Sequence, residues 1–504
     1  MTQPNVLLIV TDHWFASLLG CAGHPSVQTP VLDQLARNGV RFTNAYAAHP
    51  VCLPSRRSLM TGTTAKTHGD RTFKPLQPMP EGIPTLAETF SQAGYQTQAV
   101  GKIHVHPQRD RIGFDDVLLD DEGRTHYTSF ADDYELFLGD MGYAGQRFGH
   151  GMSNNNYFHR SWHLDDHLHV TDWATKMTER AIKRRDPNRP SLWYCGYSCP
   201  HPPLVPLQSY LDFYRDIPID EPFAGDWSAE YGDLPYHAQA VQARGNSMNP
   251  LTIEQARRAF YALCTHIDHH IGRLIGTLHW EGLLEDTIIC FTSDHGDMLG
   301  NHGMWAKQVF YENSTNIPML LMGTRDDRRV GLNRTDDRLV EIRDVMPTLL
   351  DLCGIEIPET VEGLSMLGHE TRSTLYGEYG ENSQASRMVR DARHKLIWYP
   401  CGNQTQLFDL QEDPNELNDI ANRPETAEVQ ARLSAVLLGE LYGSDEKWID
   451  GNQLVGENGK MFRPGSNRSL SATRGNQWPV PPVTDKAFFD FFNEAPDDFD
   501  LEGE

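Results

Sequence analysis

Val51-Cys52-Leu53-Pro54-Ser55-Arg56-Arg57-Ser58-Leu59-Met60-Thr61-Gly62 is the stretch around which this 504-residue chain is ordered. A lone cysteine stands beside a proline, a hydroxyl residue and two arginines, and the segment runs on as a helix-like stretch to Gly62. Cations and the free backbone N–H groups of a helix start favour an anion at such a place. Read from the residues alone, Cys52 is a reactive or modified thiol in an oxyanion site. The plain alternative is a buried cysteine ahead of a helix.

The Cys-x-Pro-Ser-Arg core, Cys52 to Arg56, resembles the modification signature of the formylglycine-dependent (type I) sulfatases of the alkaline-phosphatase superfamily. The resemblance implies that Cys52 is oxidised to an aldehyde, formylglycine, by a formylglycine-generating or radical maturation enzyme, and is then hydrated to a gem-diol. It also implies covalent catalysis. One diol oxygen attacks sulfur and the alcohol leaves; the second hydroxyl then loses its proton and expels sulfate as the aldehyde reforms.

Lys plus Arg is 44 and Asp plus Glu is 69, a net charge of −25. That balance argues against nucleic acid or an anionic membrane as a partner, and it makes any local cluster of cations meaningful. The length favours one large domain with a smaller one attached. The chain opens Met-Thr-Gln-Pro with no basic, apolar leader, and no window approaches the ~20 apolar residues of a membrane span, so a soluble, cytoplasmic protein is expected. The eight cysteines (21, 52, 195, 199, 264, 290, 353 and 401) form no Cys-x-x-Cys pair and read as scattered core thiols.

Asn5 to Val10 is an apolar run of the kind found in strands covered on both faces, and it ends in Thr11-Asp12-His13. A carboxylate at such a strand tip lies where open α/β sheets place ligands. Thr29 to Gly39 predicts a surface helix, and Val40 to Tyr46 leads towards Cys52. A helix from Pro84 to about Ala93 feeds a strand from Tyr95 to Val100, as in a layered α/β domain. Gly101-Lys102-Ile103-His104 follows; on an extended segment Lys102 and His104 project the same way and could meet one anion, although strand-end basic residues are commonly just solvated. Residues 120–156 read as an insertion lining the pocket. His159, His163 and His167 recur every four residues, which would align them on one helix face as a metal site or as a structural or substrate-contacting cluster.

A helix from Asp172 to about Arg185 and a strand from Ser191 to Tyr197 lead to Cys199-Pro200-His201-Pro202-Pro203, where prolines present His201 rigidly. After a second excursion (204–250), Thr252 to about Leu278 is the longest helical pattern. Thr287 to Thr292 predicts a buried strand ending in Ser293-Asp294-His295-Gly296-Asp297, half of a divalent-metal site whose other half is Asp12. Pro318 to Met322 reads as a strand and Ile342 to Leu352 as a helix stopped by Gly354. From Thr374 the texture changes to short alternating strands (375–379, 386–390, 395–399, 406–410) and a helix at 427–441. The polar tail, with Trp478 and the pairs Phe488-Phe489 and Phe491-Phe492, suggests packing on a neighbouring subunit of a homo-oligomer.

The resemblance assigns roles residue by residue. It implies a divalent metal on Asp12, Cys52, Asp294 and His295, with calcium the first expectation and manganese or magnesium the rivals, because imidazole is foreign to an all-oxygen shell. His13 departs from the Asp or Gln of many relatives; it is carried as a fifth candidate ligand with its role open. Arg56 would hold the second hydroxyl, Lys102 and His104 would contact the sulfate and the modified side chain, and Lys307 would hold sulfate oxygens. His201 would contact substrate or protonate the leaving group. Asp297 is left out, and Glu312 is assigned a structural part.

The expected architecture is α/β: a large mixed, mostly parallel sheet between helices (1–372), a small C-terminal α+β subdomain with an antiparallel sheet (373–445), and an extended tail (446–504). The expected function is hydrolysis of a small anionic sulfate monoester of a sugar, aryl or small alkyl alcohol. The alternative is phosphonate monoester or phosphodiester hydrolysis, against which stand Lys102 and His104, since the enzymes of that kind carry uncharged residues there. A non-catalytic sulfated-glycan binding protein is the third reading.

Overall fold

Asn5–Thr11 offers no polar side chain from Val6 to Val10, so it needs cover on both faces, and it has it. In the computed structural model, which describes residues 3–123, 131–152, 154–245 and 248–462, Val6, Leu8 and Val10 join Leu192, Tyr194, Ile288 and Cys290 in one apolar layer. Leu7 and Ile9 join Trp193, Cys195, Ile289 and Phe291 in the other. The strands are β1 (Asn5–Thr11), β2 (Val40–Tyr46), β3 (Gln96–Gly101), β4 (Asp116–Leu119), β5 (Ser191–Gly196), β6 (Thr287–Ser293), β7 (Met319–Met322) and β8 (Arg334–Glu341). Their order across the sheet is β4-β3-β5-β1-β6-β7-β2-β8. Only β7 runs antiparallel to its neighbours, so the sheet is mixed and mostly parallel, as expected.

The Cys52–Thr61 helix is buried at all ten residues and closes on Gly62, whose φ of +67° suits the left-handed stop. The Pro250–Trp280 helix is the longest and covers one face of the sheet with the Val170–Lys183 helix. Two expectations need correction. His159, His163 and His167 do not share a helix face: the chain runs extended beside residues 204–206, with Arg160 N donating to Leu204 O and Trp162 N to Pro206 O, and His167 stands apart in a short 3-10 turn at Asp166–Leu168. Within the 120–156 insertion, Asp132 caps a helix at Asp133–Asp140 by accepting from Glu135 N. Lys102 and His104 do not stand on an extended segment, because β3 ends at Gly101 (φ +92°) and His104 takes a φ of +57°.

The C-terminal sheet consists of β9 (Leu375–Tyr379), β10 (Ser386–Arg390), β11 (His394–Tyr399) and β12 (Gln404–Asp409), antiparallel in the order β12-β11-β10-β9. Its alternation divides two cores. Val389, Leu396, Trp398 and Leu407 face Leu433 and Leu437 of the Ala427–Glu440 helix. Met388, Ile397, Tyr399 and Phe408 face Phe310 and Tyr311 of the large domain. Of the expected tail, residues 446–462 are described: Trp448 is buried in the small core and Leu454 packs on it. Residues 463–504, including Trp478 and the paired phenylalanines, lie outside the described residues. All eight cysteines are free. No helix among the described residues is long and apolar enough to cross a membrane.

One buried charge fastens the two sheets together. Lys395 Nζ, on the face of β11 turned to the large domain, lies 2.7 Å from Glu312 and 2.6 Å from Glu416, and Glu312 also accepts from Tyr46 of β2 at 2.8 Å. Glu312 thus has the structural part assigned to it. Lys395→Met leaves the buried Glu416 and the partly exposed Glu312 without their shared cation, and a loss of about 3–5 kcal/mol is expected in denaturant unfolding. Adding Glu312→Gln to that variant is expected to restore part of the loss. Additive losses would show that the pair does not interact.

Candidate active site

β3, β5, β1 and β6 are parallel neighbours, so their C-terminal ends share one edge of the sheet, where such sheets bind ligands. Asp12 follows β1, Lys102 follows β3, His201 lies just beyond β5, and Asp294 and His295 follow β6. Lys102 can turn inward there because Gly101 lets β3 approach β5: a Cβ at Gly101 would lie 1.9 Å from Gly196 O. Cys52, the first residue of its helix, is drawn to this edge by the next turn. Ser55 Oγ donates to the Asp294 carbonyl, and Arg56 Nε donates to Asp294 Oδ2 at 2.8 Å. Arg56 Nη1 bonds both Lys102 O and Tyr194 Oη at 2.9 Å.

Cys52 is fully buried, yet its neighbours are charged. Its Sγ lies 3.1 Å from Lys307 Nζ, 3.2 Å from His295 Nε2 and 3.8 Å from Asp12 Oδ1. Burial and Asp12 push this thiol up, but Lys102, Lys307 and His295 more than reverse the push, leaving it below its ordinary value. Burial would likewise raise Asp12; Lys102 and Lys307 instead hold its carboxyl well below the usual range. Lys102 Nζ bonds both Asp12 and Glu122, and these anions with Cys52 keep it above its ordinary value despite burial. Burial lowers His295, and Asp294 beside it more than restores it.

Asp12, Cys52, Asp294 and His295 each offer a ligand atom, all within 4.8 Å of one another. Two carboxylates and an imidazole suit a divalent ion, and an oxygen in place of the Cys52 sulfur would make the set harder still. His13 belongs to an overlapping group with Asp12 and His201. Its Nε2 lies 2.5 Å from Lys307 Nζ, and its Nδ1 lies 2.5 Å from Asp297 Oδ2. His201 is buried with Nδ1 on the Pro202 carbonyl at 2.5 Å, its Nε2 has no hydrogen-bond partner, and burial lowers it to about 3. His104 is buried and packs edge-on against Phe73 at 5.9 Å. A cleft lined by Glu122, Arg147, His150, Trp162, His169 and His201 opens onto this cluster.

Three participants escape a reading of the sequence. Glu122 bonds Lys102 from within the Gly- and Asp-rich insertion, where nothing local marks it. Tyr194 on β5 reads as a core aromatic, but its hydroxyl donates to Lys102 O at 2.9 Å. Asp297 was in view, two residues past His295, and was left out. It is buried, bonds Tyr157 as well as His13, and accepts from Leu299 N at 2.8 Å; burial pushes it up to about 7.

A family model described as Sulfatase matches residues 4–355. A second, described as the C-terminal part of N-sulphoglucosamine sulphohydrolase, matches residues 300–441. The chain is 34% identical to an arylsulfatase of Clostridium perfringens, over 90% of this chain and 97% of that protein. It is 28% identical to a choline-sulfatase of Rhizobium meliloti, over 86% and 85%. A crystal structure of phosphonate monoester hydrolase from Agrobacterium radiobacter superposes with a TM-score of 0.74 at 24% identity, over 87% of this chain and 95% of that one, a likeness of fold.

The bonds of Asp297 define its test. With His13 Nδ1–H donating to Asp297, His13 Nε2 is left as an acceptor for Lys307. Asp297→Asn sets an amide N–H against the Tyr157 and His13 donors on Oδ2. Turnover is expected to fall about 10- to 100-fold, as for other supports of a ligand shell. Nitrogen-15 spectra of the His13 ring should report the changed tautomer; an unchanged ring with full turnover would remove Asp297 from the site.

Proposed function

Because the chain belongs to the sulfatase family of the alkaline-phosphatase superfamily, and is a sulfuric ester hydrolase, we propose that it works through formylglycine made from Cys52 beside a divalent ion on Asp12, residue 52, Asp294 and His295. The observation that carries this reading is the setting of Cys52 Sγ, between Lys307 at 3.1 Å and His295 at 3.2 Å at the start of a helix. A buried cysteine kept only for packing has no use for such neighbours.

In the proposed reaction one hydroxyl oxygen of hydrated residue 52 bonds to sulfur as the S–O bond to the alcohol breaks, and the alcohol leaves with a proton. The second hydroxyl then gives up its proton, the bond between residue 52 and sulfate breaks, and water rehydrates the aldehyde. When bound, the divalent ion supplies the charge that favours an ionised diol oxygen and steadies sulfate oxygens. Arg56 Nη2 is buried without an acceptor, 3.6 Å from Asp12, which supports its role at the second hydroxyl. Lys102, bonded to Asp12 and Glu122, and Lys307, 3.1 Å from Cys52 Sγ, are assigned to the sulfate oxygens, with His104 carried beside them. His201 is neutral in the free enzyme, with its Nδ1 proton on Pro202, which favours substrate contact through Nε2 over a ready leaving-group acid.

The second reading is phosphonate monoester hydrolysis, for which the fold likeness at a TM-score of 0.74 speaks. The two are separated by assaying an aryl sulfate, choline sulfate, sulfated sugars and a phosphodiester side by side. Sulfate esters are expected to be turned over fastest; a preference for the phosphodiester would overturn the assignment. In chain produced with a maturation enzyme, the Cys52 peptide is expected to weigh about 18 Da less than its thiol form. Cys52→Ala is expected to fold and to lose turnover altogether. Chelation should abolish activity, and readdition of Ca2+, Mn2+ or Mg2+ in turn identifies the working ion, calcium being the first expectation.

A further inference from the structure

A second set of ligating side chains lies between two helices, apart from the sheet edge. Asp172 stands in the first turn of the Val170–Lys183 helix; His266 and His270, four residues apart, share one face of the Pro250–Trp280 helix. Asp172 Oδ2 is 3.6 Å from His266 Nε2 and 3.3 Å from His270 Nε2, and the three ligand atoms lie within 4.8 Å of one another. A tetrahedral zinc ion with bonds of about 2.0–2.1 Å holds its ligand atoms about 3.3–3.4 Å apart. Two edges of that tetrahedron are thus close to their final length.

Proton positions point the same way. Thr175 Oγ1 lies 2.8 Å from Thr171 O, 2.8 Å from Tyr197 Oη and 2.9 Å from His270 Nδ1; with its one proton given to Thr171 O, it accepts from the other two. His270 therefore carries a proton on Nδ1 and presents Nε2 to Asp172. The opposite tautomer, with Arg273 Nη1 donating to Nδ1 at 3.3 Å, would set the Thr175 oxygen against a lone pair. His266 is buried, and neither of its ring nitrogens has a hydrogen-bond partner. Asp172 Oδ2 and the Nε2 atoms of two imidazoles thus converge between the helices, while the cations Arg273 and Lys176 lie on the other carboxylate oxygen, Oδ1, at 3.2 and 3.8 Å.

The outer contacts are those of a metal site. Arg273 holds Asp172 Oδ1 at 3.2 Å and is itself paired to Glu179 at 3.0 Å, which leaves Oδ2 for a ligand. Arg273 is 37% exposed, so the site lies close beneath the surface. We propose that Asp172, His266 and His270 bind a second divalent ion of the borderline-soft class that Zn2+ represents, with water as the fourth ligand. The ion clamps the two helices beneath the cleft wall, where His169 packs on His266 at 4.9 Å between ring centroids.

The test uses the full chain, freed of metal and titrated with Zn2+ or Co2+. The unmodified chain is expected to bind one more equivalent of Zn2+ than His270→Gln. Its Co2+ form is expected to show tetrahedral ligand-field absorption that His270→Gln and Asp172→Asn lack and Asp294→Asn keeps. Zn2+ should raise the melting temperature of Asp294→Asn, but not of the double variant Asp294→Asn/His270→Gln. Equal stoichiometry and spectra in the unmodified chain and His270→Gln would overturn the proposal, as would loss of the signal in Asp294→Asn alone. Should His270→Gln fail to fold, Asp172→Asn decides by the same spectrum.

Discussion

The structure depends on keeping the carboxylate of Asp12 ionised with no solvent around it. A lone buried carboxylate is far too costly to survive in that form, so the fold must bring cations to the tip of β1. It draws them from segments remote in sequence: Lys102 bonds Asp12 from the end of β3, and Arg56 approaches to 3.6 Å from the second turn of the Cys52–Thr61 helix. Lys307 arrives on a loop more than 290 residues away, where its Nζ reaches both Cys52 and His13. Arg56, Lys102 and Lys307 thus gather three cations among the buried carboxylates Asp12, Glu122, Asp294 and Asp297, a local concentration of positive charge inside a chain of net charge −25.

What the sequence makes legible follows from burial. β1, β5 and β6 are covered on both faces, so each is a nearly unbroken apolar run, and a charged residue directly after such a run stands out; Asp12 and Asp294 were found that way. β8 is the opposite case. It is an edge strand that begins Arg334-Thr335-Asp336-Asp337, has one side to solvent, and carries the charges that protect an edge, so its pattern reads as loop. Glu122 lies in an insertion whose order comes from tertiary contacts, and Tyr194 cannot be told from a core tyrosine until its hydroxyl is placed. The histidines at 159, 163 and 167 mislead for a related reason: a four-residue spacing means one face only if the segment is helical, and backbone pairing with residues 204–206 holds its first half extended.

Backbone strain marks the same region. His13, His104, Glu122, Ala306 and Gln308 all take positive φ (+71°, +57°, +56°, +66° and +84°), a conformation that costs a side-chain-bearing residue about 1–3 kcal/mol. His13 and Glu122 bond the charged cluster directly, and Ala306 and Gln308 flank Lys307. Such conformations persist only where the surroundings over-determine them.

For Lys307 those surroundings include the C-terminal sheet. Immediately after it, Val309, Phe310 and Tyr311 are buried in the cluster that Met388, Ile397, Tyr399 and Phe408 of β10, β11 and β12 complete. Tyr311 Oη bonds Gln406 at 2.7 Å, Glu312 meets Lys395 at 2.7 Å, and His237 Nε2 holds the Gln308 carbonyl at 2.6 Å. The loop is therefore gripped on both sides of its two left-handed residues, and its lysine is pressed towards Cys52. This gives a physical meaning to a family match that runs across residues 300–441 as one unit. The small sheet, far from the strand tips in sequence, sets the position of the lysine that lies 3.1 Å from Cys52, so weakening its hold on the Phe310–Glu312 segment would move that cation as well as loosen the fold.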